Sequence, residues 1–137
     1  MTQFEIKPYQ NNHEEETFAL YRAVGWSNYC KNPQMLRQAL ANSLLVLGAF
    51  SNEKLIGMIR AVGDGASILY IQDLLVLPAY QRQGVGTALL RHALNTYSNV
   101  YQVLLMTDDT PKTRSFYRSL SFVPIDSIAC VGFIHSQ

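Results

Sequence analysis

The chain has 137 residues, 48% of them hydrophobic and 15% charged, with a formal net charge of +1. That length suits one domain, which at this size buries roughly two-thirds of its unfolded surface. A near-neutral balance without a long basic run argues against a nucleic-acid partner.

The 2 cysteines, Cys30 and Cys130, form no CxxC and have no His cluster beside them, so neither a zinc site nor a disulfide framework is expected. A reduced, cytoplasmic setting is the default for such a chain. Its first residues lack the long apolar core of a secretory signal. No apolar stretch reaches about 18 residues, so a soluble protein is expected, with no membrane partner.

In chain order, residues 4–7 alternate and read as a short first strand. Residues 14–24 follow as a helix, with Phe18, Tyr21 and Val24 on one face and acids at its positive end. Residues 25–28, Gly-Trp-Ser-Asn, break it. Asn32-Pro33 then opens a second helix, the Asn as cap and the Pro in the first turn. Residues 43–50 and 55–62 read as strands joined by a hairpin at 51–54, and a turn at 63–65 leads into an apolar strand over 68–77. These three strands make an antiparallel meander.

A helix starting at Val85 carries Leu89, Leu90, Ala93, Leu94 and Tyr97 on one side. Residues 100–106 read as a strand parallel to 68–77, reached by a right-handed crossover. Thr110-Pro111 starts a last helix to residue 120, and residues 122–125 and 128–134 are expected as two closing strands. The class is therefore mixed α/β, a meander before a parallel β-α-β crossover, with helices flanking a twisted sheet.

The chemistry concentrates at Gln81-Arg82-Gln83-Gly84-Val85-Gly86, between the apolar strand and the helix after it. Glycines let main chain come close to a ligand, and the first-turn N–H groups of a helix attract negative charge. Arg82 adds a cation, so the segment suits a diphosphate. A P-loop would need Lys after its last glycine, where Thr87-Ala88 stands instead. A dinucleotide fingerprint would need a third glycine and an earlier first one. The three polar residues before the glycines are expected to serve a ligand rather than packing.

This segment resembles the acyl-CoA-binding motif of the GCN5-related N-acetyltransferase (GNAT) family, Gln or Arg, two residues, Gly, one residue, then Gly or Ala. Asp73-Leu74-Leu75-Val76-Leu77-Pro78-Ala79-Tyr80 looks like the strand that leads into it. Ser115-Phe116-Tyr117-Arg118-Ser119-Leu120-Ser121-Phe122 resembles the family's late helix-to-strand signature. The resemblance implies a small single-domain member, residues 1–137, that moves an acetyl group from acetyl-CoA, its co-substrate, to a primary amine in a ternary complex. It places the pantetheine arm along Leu75, Val76 and Leu77, and the diphosphate on Gln81, Arg82, Gln83, Gly84, Val85, Gly86 and Thr87. Thr110, where the family often has Asn, and Phe116 join the cofactor contacts.

Tyr117 matches the family's Tyr near the thioester sulfur, and a phenol can protonate a departing thiolate. Asp73, a carboxylate inside an apolar strand, is the candidate base. His13, His92 and His135 fit that role less well. Tyr21, Trp26 and Tyr29 are expected to wall an acceptor site for an arylalkyl amine, a polyamine or a lysine side chain. Dimers are common in the family, and the apolar segment 128–134 suits pairing with a second copy. Two other readings stay open, a non-catalytic acyl-CoA-binding module and a flavin- or nucleotide-binding protein. Ser121 stands where the family has Gly, so a left-handed serine is expected there.

Overall fold

The computed structural model describes residues 3–136. The elements run β1 (Glu5–Pro8), α1 (Glu14–Ala23), α2 (Ser27–Lys31), α3 (Pro33–Ala41), β2 (Leu45–Ser51), β3 (Lys54–Gly63), β4 (Ile68–Val76), α4 (Val85–Thr96), β5 (Gln102–Leu105) and α5 (Pro111–Ser119). Short 3-10 turns lie at Asn11–His13, Pro78–Tyr80 and Ile125–Ile128. The chain falls into two compact units, Met1–Met106 and Thr107–Gln137. Among the described residues, no helix is long and apolar enough to cross a membrane.

In the first unit, one mixed sheet is ordered β1-β2-β3-β4-β5. The first four strands pair antiparallel and β5 joins β4 in parallel. The expected meander and crossover are both present. The β2–β3 hairpin turns through Asn52 and Glu53, with φ of 50° and 66°. Two successive left-handed residues are the mark of a turn whose twist matches its strands. The next turn is held by Asp64, whose carboxylate accepts N–H bonds from Ala66, Ser67 and Ile68. The bonds from Ser67, hydroxyl first, and from the neighbouring backbone amides hold Asp64 well below the usual carboxylate range.

Both faces of the sheet are covered. On one, Leu20 and Tyr21 of α1 and Leu36 of α3 pack with Phe50, Leu55, Met58 and Leu75 of the strands. Asn32 caps α3 by accepting from the Met35 N–H, as its sequence predicts. The break between α1 and α3 holds more order than expected, since Ser27–Lys31 forms the short helix α2. On the other face, α4 buries Val85, Leu89, Leu90 and Ala93. It lies so close that a Cβ on Gly57 would sit 3.1 Å from Val85 and 3.2 Å from Leu89. Burying each such leucine contributes about 1.5–3 kcal/mol.

In the second unit, Thr110 and Thr113 form a reciprocal capping box at the start of α5. The other end closes with two bonds, Ser121 N–H to Arg118 O at 3.0 Å and Phe122 N–H to Tyr117 O at 3.0 Å. Ser121 has φ 69°, the left-handed conformation that this helix stop requires. The two closing strands expected from the sequence are absent. Pro124 has no N–H to give to a ladder, residues 125–128 turn instead, and the described residues of this unit form no strand. Residues 130–134 run without regular structure, and Phe133 is 92% exposed.

Left-handed backbone costs an ordinary residue about 1–2 kcal/mol, and a glycine returns about 0.4–1 kcal/mol of that through its freer unfolded chain. Glu53→Gly and Ser121→Gly are each expected to raise stability by roughly 0.5 kcal/mol or more. Urea denaturation checks this, and a lowered midpoint for both would contradict the turn assignments.

Candidate active site

The site begins where two strands part. β4 pairs with β5 only as far as Ile71 opposite Leu105, while its pairing with β3 runs on to Val76 opposite Gly57. At the same point the β3–β4 ladder slips. Arg60 faces Asp73 but Ala61 faces Ile71, so Gln72 is an extra residue in β4. Such a bulge bends its strand and deepens the local twist. Beyond it, one edge of β4 carries no strand among the described residues.

Alternation decides what lies on that edge. The Leu77 N–H donates to Ile56 O at 2.8 Å, toward β3. The N–H and C=O groups of Val76, and of Leu74 two residues before it, therefore point to the open side. Of the three residues expected to hold an extended ligand arm, only Val76 offers its backbone there. Leu75 and Leu77 bond toward β3, and the Leu75 side chain is buried in the core. The backbone platform is Leu74 and Val76.

After the turn at Pro78–Tyr80, the polar loop is tied back to this strand. Gln81 Nε2 donates to Val76 O at 3.0 Å, and Gln83 Nε2 reaches Ala79 O at 3.4 Å. These two glutamines shape the turn, which corrects the expectation that they serve a ligand alone. Arg82 and Gly84 are both left-handed, with φ of 64° and 85°. A Cβ on Gly84 would meet nothing within 4 Å, so conformation and not crowding calls for glycine, and the space above it is open. Gly84 is the N-cap of α4 and no side chain caps that end. The N–H groups of Val85, Gly86 and Thr87 thus stand at the positive end of a helix dipole, beside exposed Arg82.

Behind the split lies a buried polar network. Arg60 Nε donates to Asp73 Oδ2 at 2.7 Å, and Asp73 is 1% exposed. The Tyr21 hydroxyl donates to the same oxygen at 2.6 Å, and the Tyr29 hydroxyl to Oδ1 at a long 3.4 Å. Gln72 Nε2 in turn reaches the Tyr29 oxygen at 3.4 Å. At the other end Arg60 Nη1 meets Ser43 Oγ, which donates to Ala39 O. Burial, then the charge of Asp73, push the Tyr21 phenol far above its ordinary value. Burial pulls Arg60 down, but the charge and hydrogen bond of Asp73 outweigh it and hold the guanidinium firmly protonated.

Two expectations change here. Asp73 does not face an open cleft; its oxygens are taken by a guanidinium and two phenols. Tyr21 is fully buried, so it supports the aromatic wall from behind rather than lining it. Its ring lies 4.9 Å from Tyr29 and 6.3 Å from Trp26. Half-buried Tyr29 and more exposed Trp26 form the outer surface. Sequence reasoning missed Arg60 and Gln72. Arg60 gave the same signal as Asp73, a lone charge in an apolar strand, and the two answer each other. Gln72 gave none, since only the ladder reveals a bulge.

In the second unit, Tyr117 packs edge-on against Phe116 at 4.9 Å and Phe122 at 5.8 Å. Burial pushes its phenol up, against a weaker downward pull from a bond with Thr107. Thr110 is occupied in capping α5.

A family model described as the acetyltransferase (GNAT) domain matches residues 10–135, across both units. The chain belongs to the GNAT acetyltransferase family. Among solved structures, a GNAT-family acetyltransferase from Streptococcus pneumoniae TIGR4 superposes with a TM-score of 0.87 and 40% identity, covering 100% of this chain and 98% of that one. The PaiA N-acetyltransferase of Thermoplasma acidophilum, crystallised with coenzyme A, shares the fold with a TM-score of 0.72 at 19% identity, over 86% and 88% of the two chains. The histone acetyltransferase TAP1 of Glycine max is 36% identical over 76% of this chain and 49% of its own. The chain spans about half the length of the curated relatives it matches.

Removing one partner of a buried ion pair strands the other charge. Asp73→Ala is expected to cost about 3–5 kcal/mol, measured by urea denaturation, while Arg60→Met with Asp73→Leu together recover most of that loss. Additive losses in the double variant would show that the pair is not coupled.

Proposed function

We propose that this protein, as a single domain spanning residues 1–137, is an N-acetyltransferase that moves the acetyl group of acetyl-CoA to a primary amine, both substrates being held together. The coincidence of the Gln72 bulge with the end of β5 pairing carries this reading. It opens an edge of β4 that leads, nine residues after Val76, into an uncapped helix start at Val85.

The residues fit an acyl-CoA. Leu74, with its N–H and C=O, and the Val76 N–H face the open edge and suit an extended arm, the Val76 carbonyl being taken by Gln81. Amides from Val85 to Thr87, with Arg82, suit a diphosphate. Bound acetyl-CoA supplies an acyl group already activated as a thioester. The Val76 N–H, on the open edge, is placed to donate to a carbonyl oxygen held there, the kind of fixed dipole that most aids acyl transfer.

Tyr117 is assigned the proton for the leaving thiolate. Its phenol, raised above the ordinary value of about 10, stays protonated at neutral pH and so holds a proton for the departing thiolate, whose thiol lies lower at about 8.5. Asp73 we assign to positioning: it fixes the hydroxyl direction of Tyr21 and Tyr29. Trp26 and Tyr29 then face the acceptor amine. A relative named for histone acetylation and a fold neighbour crystallised with coenzyme A support an amine acceptor and a CoA donor.

Asn and Asp both tolerate left-handed backbone, so Gly84→Asn and Gly84→Asp differ mainly by one charge. The Asp variant is expected to bind coenzyme A at least tenfold more weakly than the Asn variant, about 1.4 kcal/mol, by calorimetry. Equal affinities would remove the diphosphate from this loop. Tyr117→Phe is expected to lower kcat by about 10²-fold with acetyl-CoA affinity nearly unchanged. Tight coenzyme A binding without thiol release on any amine would instead mark a non-catalytic module.

A further inference from the structure

The wall beside the split has a charge pattern that bears on the acceptor. Tyr29 of α2 touches both Gln72 and Asp73, so α2 stands at the mouth where β5 leaves β4. From residue 17 to residue 52 the sequence has no Asp or Glu, but it has Arg22, Lys31 and Arg37. Arg37 is engaged by Glu14. Arg22, in the last turn of α1, and Lys31, in α2, are exposed and have no ion-pair partner among the described residues.

The acids nearest in the chain lie at the wrong end. Glu14, Glu15 and Glu16 occupy the first turn of α1, roughly 10 Å along the helix from Arg22. Glu16 is also taken up by His13 and by the Leu55 N–H. α3 has no acid in it. Asp73, the carboxylate behind the mouth, is buried and neutralised by Arg60. α2 is only roughly 7.5 Å long, so Lys31 lies within about one screening length of Tyr29 at physiological salt.

We infer that the acceptor is a compact amine with a flat or alkyl body that also carries an anionic group, such as a free aromatic amino acid, and not a polyamine or a basic peptide. Trp26 and Tyr29 take the body, and Lys31 and Arg22 attract the anion. A second ammonium, as in spermidine or a lysine-rich peptide, finds no carboxylate on this wall and two cations instead. The inference rests on the N-acetyltransferase reading and narrows the acceptor classes expected from the sequence.

Matched pairs test it, phenylalanine against phenethylamine and tryptophan against tryptamine, with spermidine and a lysine peptide in the same thiol-release assay. The expected result is a kcat/KM at least tenfold higher for the carboxylate-bearing member of each pair. Lys31→Glu and Arg22→Glu are expected to shrink that ratio by tenfold or more, chiefly through KM, while improving spermidine. Preference for phenethylamine, spermidine or the peptide in the unaltered protein overturns the inference and leaves the acetyltransferase reading standing. Coenzyme A bound by calorimetry with no amine acetylated overturns both.

Discussion

Arg60 and Asp73 meet at 2.7 Å on adjacent strands with almost no water around them, and the geometry of the site follows from that pair. Arg60↔Asp73 is the last pair before the ladder slips. A charge pair in so dry a place must be satisfied, and the ring of donors around it draws in both helices of the first corner. Tyr21 comes from α1 and Tyr29 from α2, while Ser43 leads back to α3. Such a network contributes little net stability over an apolar core but fixes one arrangement strongly. It sets α2 against β4 at the residue where β5 departs.

On the proposed reading, the split and the loop divide the work of holding a long donor. An open strand edge supplies directional main-chain groups, and a helix end supplies diffuse positive charge. Neither requires an unusual side chain. This is why the loop can be read as small residues and conformations, Gly84 above all, rather than as a set of ligating groups. The side chains that do appear there mostly shape the chain: Gln81 and Gln83 bond carbonyls upstream.

Much of this architecture was legible in the residues. Apart from the short helix α2, the strand and helix order up to residue 120 follows from periodicity; Asn32 and Thr110 cap as their identities suggest, and Ser121 takes the left-handed place that the family resemblance implied. Asp73 stood out as a charge in an apolar strand, but a sequence cannot say whether such a group faces a cleft or a partner. Arg60 was its partner. The bulge at Gln72 left no trace, because register depends on which residue of β3 lies opposite. The backbone assignment to Leu75 and Leu77 failed for the same reason, an error of alternation by one residue. The closing strands failed differently: residues 128–134 are apolar enough for a strand, but a strand exists only with a neighbour.

The bond from Gln81 to the Val76 carbonyl clips the start of the loop to the end of the open edge. The chain from Val76 to Val85 then forms a calliper, whose jaws are the strand amide at one tip and the helix start at the other. On the proposed reading, a donor held at both tips would be measured against that span. Variation among donors would then be accommodated beyond the strand tip, in the length of the acyl group itself, and not in the reach of the carrier.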